Sequence, residues 1–156
     1  MFRTLISCSV LAATVAWVGA DDRRSSQEKG LHGHFGIAYG EKDGKEIPYR
    51  ELDGSVVHFQ GDKILGHDKG RKMFFLARFT LDKSSTPWKI HMTAENPKPG
   101  TQADGVIEIV QDSIVNIAYN LPGGEAPSTF KTKEHQQVFT LWRISEVEVV
   151  NFRDVK

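Results

Sequence analysis

The chain has 156 residues, of which twenty are basic and twenty acidic, giving a formal charge of zero. No Lys/Arg-rich stripe stands out, which excludes nucleic acid and an anionic membrane surface as expected partners. Cys8 is the only cysteine, so once the segment that carries it is removed no disulfide, thiol nucleophile or cysteine metal ligand remains.

Residues 1–20 read as a cleavable secretory signal helix. Arg3 supplies the positive start, Leu5 to Val18 the apolar stretch, and Val18-Gly19-Ala20 the small-residue cleavage site. Asp21-Asp22-Arg23-Arg24 ends the run, which is shorter than the ~20 residues needed to span a bilayer. Leu5-Ile6-Ser7-Cys8 has the composition of a lipoprotein box, but the apolar segment follows the cysteine instead of preceding it. The expectation is an exported protein, periplasmic or extracellular, with no membrane span after signal cleavage. Residues 21–30 form a polar leader and 31–156 a single domain, long enough to bury its own core.

From there the period is two. Phe35, Ile37 and Tyr39 alternate with Gly36, Ala38 and Gly40, predicting a strand with one bulky and one very small face. Val56–Phe59 and Lys63–Leu65 flank Gly61-Asp62, a hairpin signal. Met73–Leu81 is apolar on both faces apart from Arg78 and Thr80, whereas Trp88, Ile90 and Met92 alternate with Lys89, His91 and Thr93. A long Pro/Gly loop is expected over Asn96–Asp104. Val106–Val110 and Ile114–Leu121 flank a tight turn, Val138–Ile144 is a further strand, and Val147–Phe152 a candidate ninth. This pattern predicts an all-β fold: a small antiparallel up-and-down β-barrel of about eight strands, whose closure removes exposed edges. A two-sheet sandwich is the alternative.

The ordered series Leu31-x-Gly33-x-Phe35, Glu41-x-Asp43-Gly44-Lys45, Glu51-Leu52-x-Gly54, Pro87-x-Lys89-Ile90-x-Met92-Thr93, Gly105-Val106-Ile107-Glu108, Asp112-Ser113-Ile114, Pro122-Gly123 and Leu141-x-Arg143 resembles a paralogous domain of unknown function described mainly from planctomycetes. The resemblance implies an exported, lipocalin-like (calycin-like) barrel and brings no established activity. Two positions depart from it: Phe35 stands where members usually carry Trp, and Ile117 where they often carry cysteine. Lipocalins themselves pair a Gly-x-Trp in the first strand with an Arg near the end of the last, and Gly33-His34-Phe35 with Arg143 is similar. The resemblance implies that Arg143 closes one barrel end over Phe35; otherwise it is an ordinary surface residue.

Chemistry is sparse. The nucleophile elbow, phosphate loop, zinc-protease and EF-hand patterns are all missing, so no catalytic residue, enzymatic activity or cofactor is expected. His32-x-His34 is the one metal-like spacing, a weak candidate beside the simpler reading of exposed strand-start histidines. A barrel of this size is either filled by side chains or just wide enough for one small ligand. Its inward candidates are Tyr39, Phe59, Phe75, Phe79, Ile90, Met92 and Tyr119, which would either pack the core or line a site for a small hydrophobic ligand. The other reading is a protein-interaction or structural domain on a filled barrel, and an exposed Trp88 or Trp142 would favour it.

Overall fold

The computed structural model describes residues 30–144. The signal helix, nearly all of the polar leader and the candidate strand over 147–152 lie outside these residues.

Nine strands and one short helix lie wholly within the described residues, in chain order: β1 (Gly33–Lys42), β2 (Lys45–Glu46), α1 (Tyr49–Leu52), β3 (Val56–Gln60), β4 (Lys63–His67), β5 (Met73–Asp82), β6 (Trp88–Asn96), β7 (Gln102–Val110), β8 (Ile114–Asn120) and β9 (Gln136–Arg143). All pairings are antiparallel between sequence neighbours, except that β1 passes over β2 to reach β3 and that β9 returns to β1. The result is a closed eight-strand barrel with one extra strand, and the sandwich alternative is overturned. Closure follows from the pattern: bulky alternate residues need a shared interior, and joining β9 to β1 leaves no eight-strand edge unpaired.

The strands define two ends. One, with the β3–β4, β5–β6 and β7–β8 turns, holds the start of β1 and the finish of β9. The other, the mouth, holds the β4–β5, β6–β7 and β8–β9 connections. Toward the mouth β3 leaves β1, and β2 with α1 takes its place: Glu41 and Lys42 pair with Glu46 and Lys45, and Ile47 N–H donates to the Gly40 carbonyl. Leu52 of α1 is buried in the core there.

The interior is filled most densely toward the turn end. Phe35 meets Phe59 edge to face at 5.7 Å, and Phe59 meets Phe79 in the same way at 6.0 Å. Such pairs contribute about 0.5–1.5 kcal/mol beyond the area they bury. Trp88, Ile90 and Ile107 complete this buried layer. Outside the barrel, Phe130 packs on Val106, Ala118 and Val138, so part of the β8–β9 connection lies against the wall. The outward-facing Val56, Leu65 and Leu76 are also buried.

Three expectations change. The loop predicted over Asn96–Asp104 shrinks to residues 97–101, because β6 runs through Asn96 and β7 begins at Gln102. Ladder hydrogen bonds need no hydrophobic residues, so polar strand ends escaped the pattern. The β2–α1 insert was not anticipated, being too short for any period to register. Most informative is Tyr39, expected inside. The β1–β9 register shifts between Ile37 and Tyr39, a bulge that reverses the facing of everything after it. Tyr39 consequently points outward, 37% exposed, and donates to Glu41. Gly40 faces inward in its stead, where a Cβ would collide with the Phe139 ring.

Candidate functional site

At the turn end Arg143 covers one side of the barrel, beside a cleft of about 340 Å³ whose rim carries His32, Asp62, Thr80 and Lys83 and whose floor is Phe59 and Phe79. The Arg143 guanidinium lies 4.8 Å from the centroid of the Phe35 ring, and that ring is fully buried. Its three nitrogens donate to backbone carbonyls: Nε to Asp112 at 3.1 Å, Nη1 to His32 at 2.7 Å, and Nη2 to Gly30. Gly33 makes this approach feasible. Its φ is +126°, and a Cβ there would stand 2.7 Å from Nη1. One side chain therefore covers an aromatic ring and ties together β9, the β7–β8 turn and the segment entering β1.

The mouth is not shut. Two adjoining compartments of about 320 Å³ and 340 Å³ occupy it, and both are lined by Phe75, Met92, Tyr119 and Gln137. The first reaches down to Phe59 and Leu141; the second rises beside Ala103 to the 97–101 turn. Together they fall in the range of small-ligand sites, roughly 300–1,000 Å³. Their walls are aromatic and aliphatic, with the Tyr119 and Gln137 side chains as the polar groups at the junction. These two residues are direct cross-strand partners on β8 and β9, and Tyr119 packs against Phe139 with ring centroids 6.3 Å apart. Neither the Tyr119 hydroxyl nor the Gln137 amide hydrogen-bonds to another described residue. Burial pushes the Tyr119 hydroxyl pKa well up, so it stays a neutral donor.

Of the seven residues expected inside, Phe59, Phe75, Met92 and Tyr119 meet around this mouth cavity. Phe79 and Ile90 lie in the filled layer at the other end, and Tyr39 is outside. Sequence reasoning missed Gln137, since a polar residue before the apolar run of β9 carries no strand signal; its place opposite Tyr119 is visible only from the register.

The histidines arrange differently from the His32–His34 pair. His32 precedes β1, and the unusual φ of Gly33 breaks the alternation between them. His34 instead stacks on His58 of β3, with centroids 4.1 Å apart and planes at 11°, as their direct cross-strand pairing dictates. Desolvation, then the nearby His34, His67 and His32, lowers the His58 pKa to about 4. His34 is lowered too, by desolvation first and His67 second. Both rings are thus neutral near pH 7. Among the described residues no group of three or more His, Cys, Asp or Glu side chains could hold a metal ion.

A larger groove of about 630 Å³ runs along the outside of β5–β7 below residues 126–128. There His91 Nδ1 and Asp104 Oδ1 are 2.7 Å apart, and the Asp104 N–H donates to Asn120 at 2.8 Å. Both side chains of the pair are exposed. Trp88 is buried, whereas Trp142 is 56% exposed on the outer face of β9, covering Gly36.

No protein-family model matches the chain, and no curated protein does. Among solved structures, the chain is similar to a DUF4909 family protein from Staphylococcus aureus, with 9% identity and a TM-score of 0.38 over 71% of this chain and 96% of that one.

Proposed function

We propose that the protein is a non-enzymatic binding module that takes one small, mainly apolar molecule through the barrel mouth, and that it works outside the cytoplasm, in the periplasm or beyond. The mouth carries this reading: it opens into two adjoining, mainly apolar compartments that share four residues, whereas at the other end Arg143 covers Phe35 beside a cleft with a charged and polar rim. A barrel built only as a scaffold gains nothing by leaving its interior unfilled, since each missing methylene contact costs stability. The export reading rests on the signal-like residues 1–20 and on the motif series that resembles an exported planctomycete-type, lipocalin-like domain.

The test is direct. N-phenylnaphthylamine, which fluoresces in apolar surroundings, should brighten with the purified protein and saturate at one equivalent. Ala103→Phe, which fills the upper compartment, should reduce binding by at least tenfold while leaving the far-UV spectrum intact. A probe that stays dark, or an Ala103→Phe variant that binds as before, would overturn the lumen as the site.

The exposure of Trp142 favours a second reading, in which the outer face of β9 meets a protein partner. Trp142→Ala would then leave probe binding unchanged and abolish capture of that partner.

A further inference from the structure

An apolar cavity explains where a molecule's tail would go and leaves open what recognises its other end. Among all residues lining the two compartments, Lys98 is the one that carries a charge; no carboxylate lines either. Lys98 stands in the exposed 97–101 turn at the rim and makes no ion pair with any described residue. Below it, at the junction of the compartments, the Tyr119 hydroxyl and the Gln137 amide face each other across β8 and β9 without protein partners. The site thus offers a positive charge and two further donors around one opening, with no anion to answer them.

Tyr119 and Gln137 are half-buried at the opening, so their donors face solvent there and are open to a ligand that enters. A cation would meet repulsion at the rim and find no counter-charge inside. A polyanion would bring more charge than a single ammonium can balance. A ligand carrying one carboxylate matches the set, because its two oxygens accept from several donors at once and such charge-assisted bonds are the stronger kind.

We infer that the ligand is a monocarboxylic acid with an apolar tail, its carboxylate held by Lys98, Tyr119 and Gln137 and its tail lying against Phe75 and Met92. The inference rests on the lumen reading above and adds the chemical class of the ligand. Lys98 supplies selection by charge, and Tyr119 with Gln137 fixes the depth at which the head group stops. Chain length is then set by the lower compartment, whose floor is Phe59 and Leu141.

Decanoate, decanol and decylamine share a tail and differ in head-group charge, so their displacement of N-phenylnaphthylamine tests the idea. Decanoate should compete about tenfold more strongly than decanol, a difference of about 1.4 kcal/mol, and decylamine should be weakest. Lys98→Met should bring decanoate down to the level of decanol, and Lys98→Glu should invert the order of decanoate and decylamine. Tyr119→Phe should weaken decanoate and decanol alike, by about fivefold. Lys98 is exposed in a turn, so its variants should retain the fold. If the probe binds and decanoate competes no better than decanol, or Lys98→Met changes nothing, the carboxylate assignment is overturned and the lumen site stands. If neither probe nor competitor binds, both fail.

Discussion

At the scale of single residues, Arg143 ties together parts of the chain that are far apart in sequence. It reaches a buried ring and three carbonyls, one in the β7–β8 turn and two in the segment entering β1, replacing water as the partner of groups that would otherwise lie at an uncovered edge of the barrel. Arg143→Ala should therefore lower stability by about 2–4 kcal/mol, combining the ring contact with charge-assisted bonds. Arg143→Lys should recover less than half, since an ammonium cannot present the planar fork. Chemical denaturation midpoints would measure both, and an alanine variant as stable as the parent would reduce Arg143 to a surface residue. This pairing could be anticipated because its two members sit in recognisable motifs. The Tyr119–Gln137 pair could not, because register alone creates it, and the inward reading of Tyr39 failed at a bulge that leaves no compositional mark.

At the scale of elements, the strands were legible wherever bulky residues alternate, and illegible where the ladder is carried by polar residues at strand ends. The β1 strand is the least uniform. It pairs with β3 at four positions, Gly33 to Gly36, and with β9 at seven, so its two seams are unequal. A short ladder opens at lower cost than a long one, and local opening governs amide exchange. Amides bridging β1 and β3 should exchange before those of β7 and β8, which pair at six positions. Equal protection across these seams by hydrogen-exchange mass spectrometry would show that β2 and α1 brace β1 as firmly as a full-length neighbour would.

For the whole molecule, the stacked histidines couple global stability to pH. Burial holds the His58 pKa at about 4, against the ordinary 6.5 of a solvated imidazole. As pH falls below about 6.5 the unfolded chain takes up this proton while the folded one refuses it, so stability is lost between about pH 6.5 and pH 4 and levels off below. The lowered pKa of His34 acts in the same direction. The thermal midpoint should drop over that window, and His58→Gln should flatten the drop. A parent midpoint that does not change from about pH 7 to about pH 4.5 would contradict the burial of the neutral ring. Nothing in the sequence joins His34 to His58; the β1–β3 register does.

The described residues begin at Gly30 and end at Ile144, whose N–H donates to the His34 carbonyl, so both flanks depart from the end opposite the mouth. A sensor surface or fusion partner attached through either flank would hold the protein with its opening turned away from the support. Immobilisation should thus leave uptake unhindered.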